Sequence, residues 1–467
     1  MRNLKNIILF AGMLLSLPAC NKFTDITPKG RNVLNRVSDL DYVLNYNFVP
    51  SASTPFFKFD ELNSLIDGYP YVTSIPTLLT QPTKTLNYAL VTFDETVDRV
   101  SLANSDIKYE QIYAIINNVA NIVILNIGNA SGDRQKANQL KAEAYILRAY
   151  FHYILVNLYA KGYDPATAAK DGGIPYVKDN NIGDPNVKAT VAEVYNNLVS
   201  DIDAAFDLNA LPDNPVNSMR VSKAFAYAVK ARVLLTIRDF QGALDAANAS
   251  LAINSTLDDY RRFLKPPIGT GVVSRTGPTA ADNLFYAAYD QSAPALQAPS
   301  VEIINNYFEP GSIIKDSTSL MMNNPISGVA GSKIWWATPF GLNTAGLSTA
   351  DMYLVKAECL ARLQKPGEAM DVINYLRQRR IYPYQPLSAN AEADAMAYIM
   401  RAARVEHLFT YKNFADLKRW NTEAAYKQTV SKTINGKTYQ LSPESPLWIF
   451  PFPQSATAYN TYLTQNY

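Results

Sequence analysis

One stretch of this chain occurs twice. YAVKARVLLTIRDFQGALDAAN (227–248) aligns without a gap to YLVKAECLARLQKPGEAMDVIN (353–374), and Tyr, Val, Lys, Ala, Leu, Ala, Asp and Asn recur at matching places. Each copy reads as helix, short turn, helix, with small residues where the two helices must approach closely. A pair of this size cannot bury its apolar face alone, so the repeat requires stacked pairs. KANQLKAEAYILRAYFHYILVNLY (136–159) fits the same plan, with apolar residues at 140, 144, 147, 151, 154 and 158 that trace one stripe on a helix. It reads as a further pair with VAEVYNNLVSDIDAAFDL (191–208). IYAIINNVANIVILNI (112–127) is apolar all round, as a buried helix would be.

The pairs resemble tetratricopeptide repeats, in which small and large apolar positions interlock two antiparallel helices. The predicted fold is therefore mostly α, a tetratricopeptide-like helical-pair scaffold over roughly 107–254 and 347–425. Two long loop-rich inserts interrupt or precede it, roughly 47–106 and 255–346, and a C-terminal segment follows at 426–467. The second insert carries Pro266, Pro267, Gly269, Gly271, Gly277, Pro278, Pro294, Pro299, Pro310, Gly311, Pro325 and Gly328, a density of breakers that excludes helices of normal length.

The amino-terminal end has its own logic. Arg2 and Lys5 precede an apolar run from Ile7 to Leu17, the length of a signal-peptide core and too short to span a bilayer. Leu17, Pro18, Ala19 and Cys20 follow. The order Leu-x-small-Cys resembles the lipobox of bacterial lipoproteins, although Pro18 is unusual in it. The resemblance implies a signal peptide at 1–19 and a mature domain at 20–467 that starts on an acylated Cys20, carrying diacylglycerol and palmitate-type chains. Several acyl chains hold a protein to a membrane where one binds only marginally.

Composition narrows the partners. The net charge of +2 offers no basic field for nucleic acid. Past Cys20 the only cysteine is Cys359, set in an amphipathic stretch that makes it a buried, inert thiol. Thirty tyrosines suit polar ligands at a wet surface, though most will fill helix interfaces.

Seven segments in order resemble the SusD/RagB family of outer-membrane lipoproteins. They are CNKFTDITPKG after the lipobox, YEQIYAIINNVANIVI (109–124), AEAYILRAYFHYILVNLYA (142–160) with GGIPYV (172–177), RVSKAFAYAVKARVLL (220–235), DMYLVKAECLARLQKPGEAMDVINYLRQRR (351–380), RAARVEHLFTYKNFADLKRW (401–420) and PLWIFPFPQSATAYNTYLTQNY (446–467). Tyr109 stands where Trp is common, and Lys412 and Asn413 stand where Gly and Arg are usual. The resemblance implies capture of a nutrient, commonly an oligosaccharide or polysaccharide, at the outer face of the outer membrane. It also implies delivery to a TonB-dependent SusC/RagA-like barrel, with peptide or glycopeptide as alternative ligands. A structural lid or protein-binding lipoprotein of the same complex is the other reading.

No catalytic motif stands out. His152 and His407 sit in apolar helical surroundings that suit packed, hydrogen-bonded rings, and no nucleophile elbow, zinc helix, paired Cys-x-x-Cys or phosphate loop occurs. The chain reads as a binding protein, not an enzyme, with no metal and no cofactor. Arg404 and Glu406, two apart, do not share a helix face and must pair elsewhere, and Trp420 reads as packing. Sugar rings lie flat on exposed aromatics while their hydroxyls need amides and carboxylates. Candidate ligand residues come from the inserts: Trp335 and Trp336, of which at most one faces outward if the segment is extended, Asp67 with Tyr69 and Tyr71, and Tyr286 with Tyr289.

Overall fold

The structure is a computed structural model. It describes residues 34–49, 57–69, 75–180, 185–271, 277–289, 296–317, 320–323, 326–336 and 342–467, with only the backbone described at 296, 297 and 336. Cys20 and Tyr71 lie outside the described residues.

Eight helices form the scaffold. They are α1 (Arg134–Tyr159), α2 (Val191–Asp207), α3 (Lys223–Thr236), α4 (Phe240–Ile253), α5 (Thr349–Arg362), α6 (Pro366–Arg377), α7 (Glu392–Glu406) and α8 (Tyr411–Trp420). Their starts follow from local chemistry. Asp133, Ser222 and Asp239 cap the first amides of α1, α3 and α4, Thr190 and Glu193 close a capping box on α2, and Pro366 opens α6. Such caps contribute about 1 kcal/mol each. The pairs α1/α2, α3/α4 and α5/α6 pack within themselves, α4 packs on α5, and α7 lies across α5 and α6. One hydrophobic core runs through all of them.

The repeat is structural, and its helix starts align to the residue. Shifting α3 and α4 by the 126 positions that separate Tyr227 from Tyr353 places their first residues on those of α5 and α6. The connecting turns match too: Arg238 and Gln364, at equivalent positions, both adopt a left-handed conformation (φ 67° and 61°).

Helix α1 departs from the single-stripe expectation. From Ile146 to Tyr159 every residue is buried, because α2, α3, α8 and the helical segment 107–126 surround it. Its polar groups are therefore satisfied internally. Arg148 makes a bidentate pair with Asp201 (2.6 and 2.7 Å), and Glu143 accepts from Arg220 (2.8 Å). The segment 107–126 is helical with a π-helical stretch, Ile116–Asn121, in its middle.

The inserts hold more regular structure than their breakers suggested. The first contains short helices such as Ile75–Thr80 and Leu86–Thr92, with Pro76 in a first turn where no amide bond is lost. The second contributes to a four-stranded antiparallel sheet. Its strands are β1 (Gly68–Tyr69), β2 (Leu296–Pro299), β3 (Met321–Asn323) and β4 (Lys333–Trp336), in the order β1-β2-β4-β3. The C-terminal segment adds a hairpin, β5 (Val430–Ile434) and β6 (Lys437–Leu441), closed by Asn435-Gly436 with both residues at positive φ. Asn-Gly is the strongest short hairpin signal a sequence can carry.

Candidate functional site

The segment 404–420 holds the scaffold together. Arg404 pairs with Asp67 (3.2 Å), and Glu406 takes a bidentate contact from Arg380 (2.7 and 3.1 Å), so the two do pair elsewhere. His407 bridges Asp351 (2.8 Å) and Asp416 (3.0 Å). Burial alone would pull this imidazole's pKa down, but the two carboxylates raise it. Burial would likewise push Asp416 up, yet Arg232, His407 and Arg419 hold its carboxyl well below the usual range. Arg419 and Trp420 donate to Glu358. Lys412 reaches Asp351 (3.0 Å) and Asn413 reaches Asp67 (2.6 Å), so the two atypical residues are built into the network. The other histidine, His152, is neutral. Its Nε2 accepts from the Val177 amide (3.0 Å), which leaves the proton on Nδ1 to donate to the Arg148 carbonyl (2.8 Å). Cys359 is buried, and burial raises its thiol pKa.

Five of the seven ligand residues expected from sequence are buried in this structure. Asp67 is fully buried and accepts from Arg404, Asn413 and the Phe409 amide. Burial still pushes its pKa up to about 6. Trp335, 1% exposed, packs edge-on between Phe308 and Phe409 and pins the second insert to the scaffold. Tyr286 and Tyr289 are buried beside the strand Asn283–Phe285. Tyr69 is buried in a small cluster with Ile75, Leu78, Val91, Ala298, Ile326, Val329 and Ile434. None of these five offers a ring face or carboxylate to solvent. Long apolar rings in loops are drawn inward wherever the loops fold back on a scaffold. Tyr71 and the Trp336 side chain lie outside what is described.

Above the Tyr69 cluster lies an open cleft of about 760 Å³. Three pieces build it: the short helix Val301–Asn306, the turn 326–331 and the tip of the β5–β6 hairpin. Ser300 caps the helix and its amide donates to the Asp67 carbonyl (2.9 Å), which ties the wall to the scaffold. The Asn435 amide donates to the Gly328 carbonyl (2.9 Å). Gly328 is at φ +83°, and a Cβ there would come within 2.7 Å of Asn435 Oδ1. Glu302 Oε1 accepts from the Thr433 amide (2.7 Å), while Oε2 is buried with no hydrogen-bond partner among the described residues. Asn305, Asn306 and Asn435 are exposed along the cleft. Amides that both donate and accept, beside one carboxylate, suit a polyhydroxylated ligand. Sequence reasoning looked in both inserts for aromatics and did not single out these residues. The signals available were the Asn305-Asn306 doublet and the Asn435-Gly436 turn.

Other concavities suit a ligand less well. A pocket between Tyr260, Arg377 and Arg401 has room for about 40 Å³, and one of about 400 Å³ lies where α1 and α8 end, near Lys161 and Trp448. Among the described residues no group of three His, Cys, Asp or Glu side chains gathers to hold a metal, and no helix is long and apolar enough to cross a membrane.

Comparison with known proteins agrees with this architecture. Residues 70–235 match a SusD-like family model described as starch-binding associating with outer membrane, and residues 348–467 match the SusD family model. SusD-like protein P2 of Formosa agariphila is 25% identical over 374 residues, 67% of this chain and 70% of its own. A solved SusD superfamily protein of Bacteroides thetaiotaomicron superposes with a TM-score of 0.71 at 18% identity, covering 92% of this chain and 100% of its own. A SusD-like carbohydrate binding protein of Bacteroides vulgatus does so with a TM-score of 0.66 at 16% identity, covering 92% and 97%. With both halves of the scaffold matched and the paired-helix fold shared across nearly its whole length, the chain belongs to the SusD/RagB family.

Proposed function

We propose that this protein captures an oligosaccharide or polysaccharide at the cell surface, in the cleft around Glu302, and delivers it to a TonB-dependent SusC-like barrel of the outer membrane. The observation that carries the reading is the cleft itself, about 760 Å³ and lined by Asn305, Asn306 and Asn435. Its walls are held by backbone hydrogen bonds, from Ser300 to Asp67 and from Asn435 to Gly328, so little order has to be gained on binding. The family descriptions, starch-binding in one model and carbohydrate binding in a solved relative, support it. In this reading acyl chains on Cys20 tether the domain. The mature chain should then begin at an acylated Cys20 by mass spectrometry, and Cys20→Ala should release it from the membrane fraction.

The direct test is a binding screen of the full chain, in mild detergent, against polysaccharides, oligosaccharides and peptides. Glycan binding that falls in a folded Asn305→Ala, Asn306→Ala variant establishes both ligand class and site. Binding only to peptides, or none at all, removes the reading. A second reading, a protein-binding lid, draws on the exposed aromatics of the C-terminal segment. Tyr459 is 91% exposed, and Asn460 ties it to the loop bearing exposed Val187. Copurification of the barrel with native protein, lost in Tyr459→Ser, supports that role.

A further inference from the structure

The cleft has a sign. Among its lining residues Glu302 is the sole ionisable side chain; the rest are amides, a threonine, glycines and small apolar residues. Its carboxylate is fixed, because Oε1 is held by the Thr433 amide at 2.7 Å on the rigid β5 strand. It makes no ion pair within 4.0 Å among the described residues, and Oε2 is buried without a partner. The nearest candidate for neutralising it is Lys432, the neighbour of Thr433. Alternation along the strand turns Lys432 to the opposite face. There its ammonium donates to the Ser64 carbonyl and lies over the rings of Tyr69 and Phe93. It still interacts electrostatically with Glu302 and with Asp67, but without an ion pair to Glu302, and burial brings its pKa down to about 7.

A half-buried carboxylate in a concave wall projects its field into the space it lines, where low-dielectric protein screens it poorly. A carboxylate at the wall favours a donor, a hydroxyl or an ammonium, over another acceptor. The amides favour neither sign, so Glu302 decides. Resting on the glycan-capture reading above, we infer that Glu302 makes this cleft a site for neutral or amino-sugar chains and turns away uronate-bearing and sulfated ones. The ligand class is narrower than glycan: hydroxyl- or ammonium-bearing, without carboxylate or sulfate at the bound units.

The test compares matched pairs on the full chain by calorimetry. The probes are neutral oligosaccharides against their uronic-acid counterparts of equal length and linkage, with chitosan oligosaccharides as the cationic arm. The neutral or cationic member should bind about tenfold or more tighter than the acidic one at low salt, a gap worth about 1.4 kcal/mol. The gap should shrink at high ionic strength. Glu302→Gln keeps an oxygen for the Thr433 amide and removes the charge, so it should bring the acidic member to within about threefold of the neutral one. Equal or tighter binding of uronates by the native chain, or an unchanged ratio in Glu302→Gln, overturns this inference and leaves glycan capture standing. Failure of every glycan to bind, with peptide binding or none, removes the capture reading and this inference with it. The native ratio needs no variant, so a misfolded Glu302→Gln does not rescue the idea.

Discussion

The segment around α8 and the cleft around Glu302 both bury charge, and they treat it in opposite ways. In the scaffold the charges close on one another. Arg232 and Glu358 occupy equivalent positions in the two copies of the repeat, with opposite sign, and α8 answers them with Asp416 and Arg419, three residues apart on one face. The repeat divergence and the α8 sequence are thus one solution to one problem: two helix pairs joined through a third element. In the cleft the Glu302 carboxylate has no ion pair among the described residues, and its walls are a six-residue helix, glycine turns and a hairpin tip. Charges that pair in a core specify a structure; a carboxylate without an ion pair in a cleft wall sets the field that a ligand meets.

The most damaging way to break the comparison is to unpair the scaffold. Asp416→Ala leaves Arg232 buried without its carboxylate, and Arg232 Nε and Nη2 already lack partners among the described residues. Breaking a buried pair from one side costs about 3–5 kcal/mol. Denaturant titration should show that loss in Asp416→Ala, and a change of under about 0.5 kcal/mol in Glu302→Gln. Equal losses would mean that the cleft carboxylate is structural after all.

The next effect is set by pH. His152 titrates near 6.5 when unfolded and near 3 when folded, because burial disfavours its charged form. A lowered histidine pKa means that the unfolded state binds the proton first. The contribution of neutral His152 is complete above about pH 6.5 and falls as pH drops toward 3, by about 2 kcal/mol at pH 5. Native protein and His152→Gln should therefore converge in stability between pH 7 and pH 5. A constant difference across that range would mean that His152 is no more buried than a surface imidazole.

These scaffold features were the legible part of the sequence. The repeat marked two helical hairpins, and the roles of Arg404, Glu406, His152, His407 and Trp420 followed from their spacing and surroundings. Periodicity reports on neighbours within a helix or strand, and α1 is where it first fell short: a stripe cannot reveal that a helix is wrapped on every side. The inserts were harder for the same reason. Strands of two to four residues paired across the chain, such as Tyr69 with Ala298, leave no periodic trace. Burial of Trp335 depends on Phe308 and Phe409, which nothing local connects to it. The cleft joins residues 301–306, 326–331 and 433–436, a proximity that only the fold creates.

The cleft's shape can be perturbed next. Gly328→Ala forces a left-handed residue to carry a Cβ against Asn435 Oδ1 and Pro76. The expected loss is about 1–2 kcal/mol. It should be local, with faster hydrogen exchange at the Asn435 amide and unchanged exchange in α1. Protection lost throughout would tie the turn to the scaffold's own cooperativity and erase the distinction between the two regions.

The smallest effect on stability should be the largest on function. Asn305 and Asn306 are exposed at the end of a short helix. Their replacement by Ala removes no core contact and should move stability by under about 0.5 kcal/mol. Each side chain amide that meets a sugar hydroxyl contributes about 0.5–1.5 kcal/mol, so the double variant should weaken glycan binding by about tenfold or more while its melting curve overlays the native one. Such a separation is possible only where side chains face solvent from a backbone held by other residues. If binding survives intact, the amides are bystanders and the ligand lies on another face. If stability falls with binding, the helix Val301–Asn306 belongs to the scaffold's closed network, and the contrast between a satisfied frame and an open wall fails at the point where function was placed.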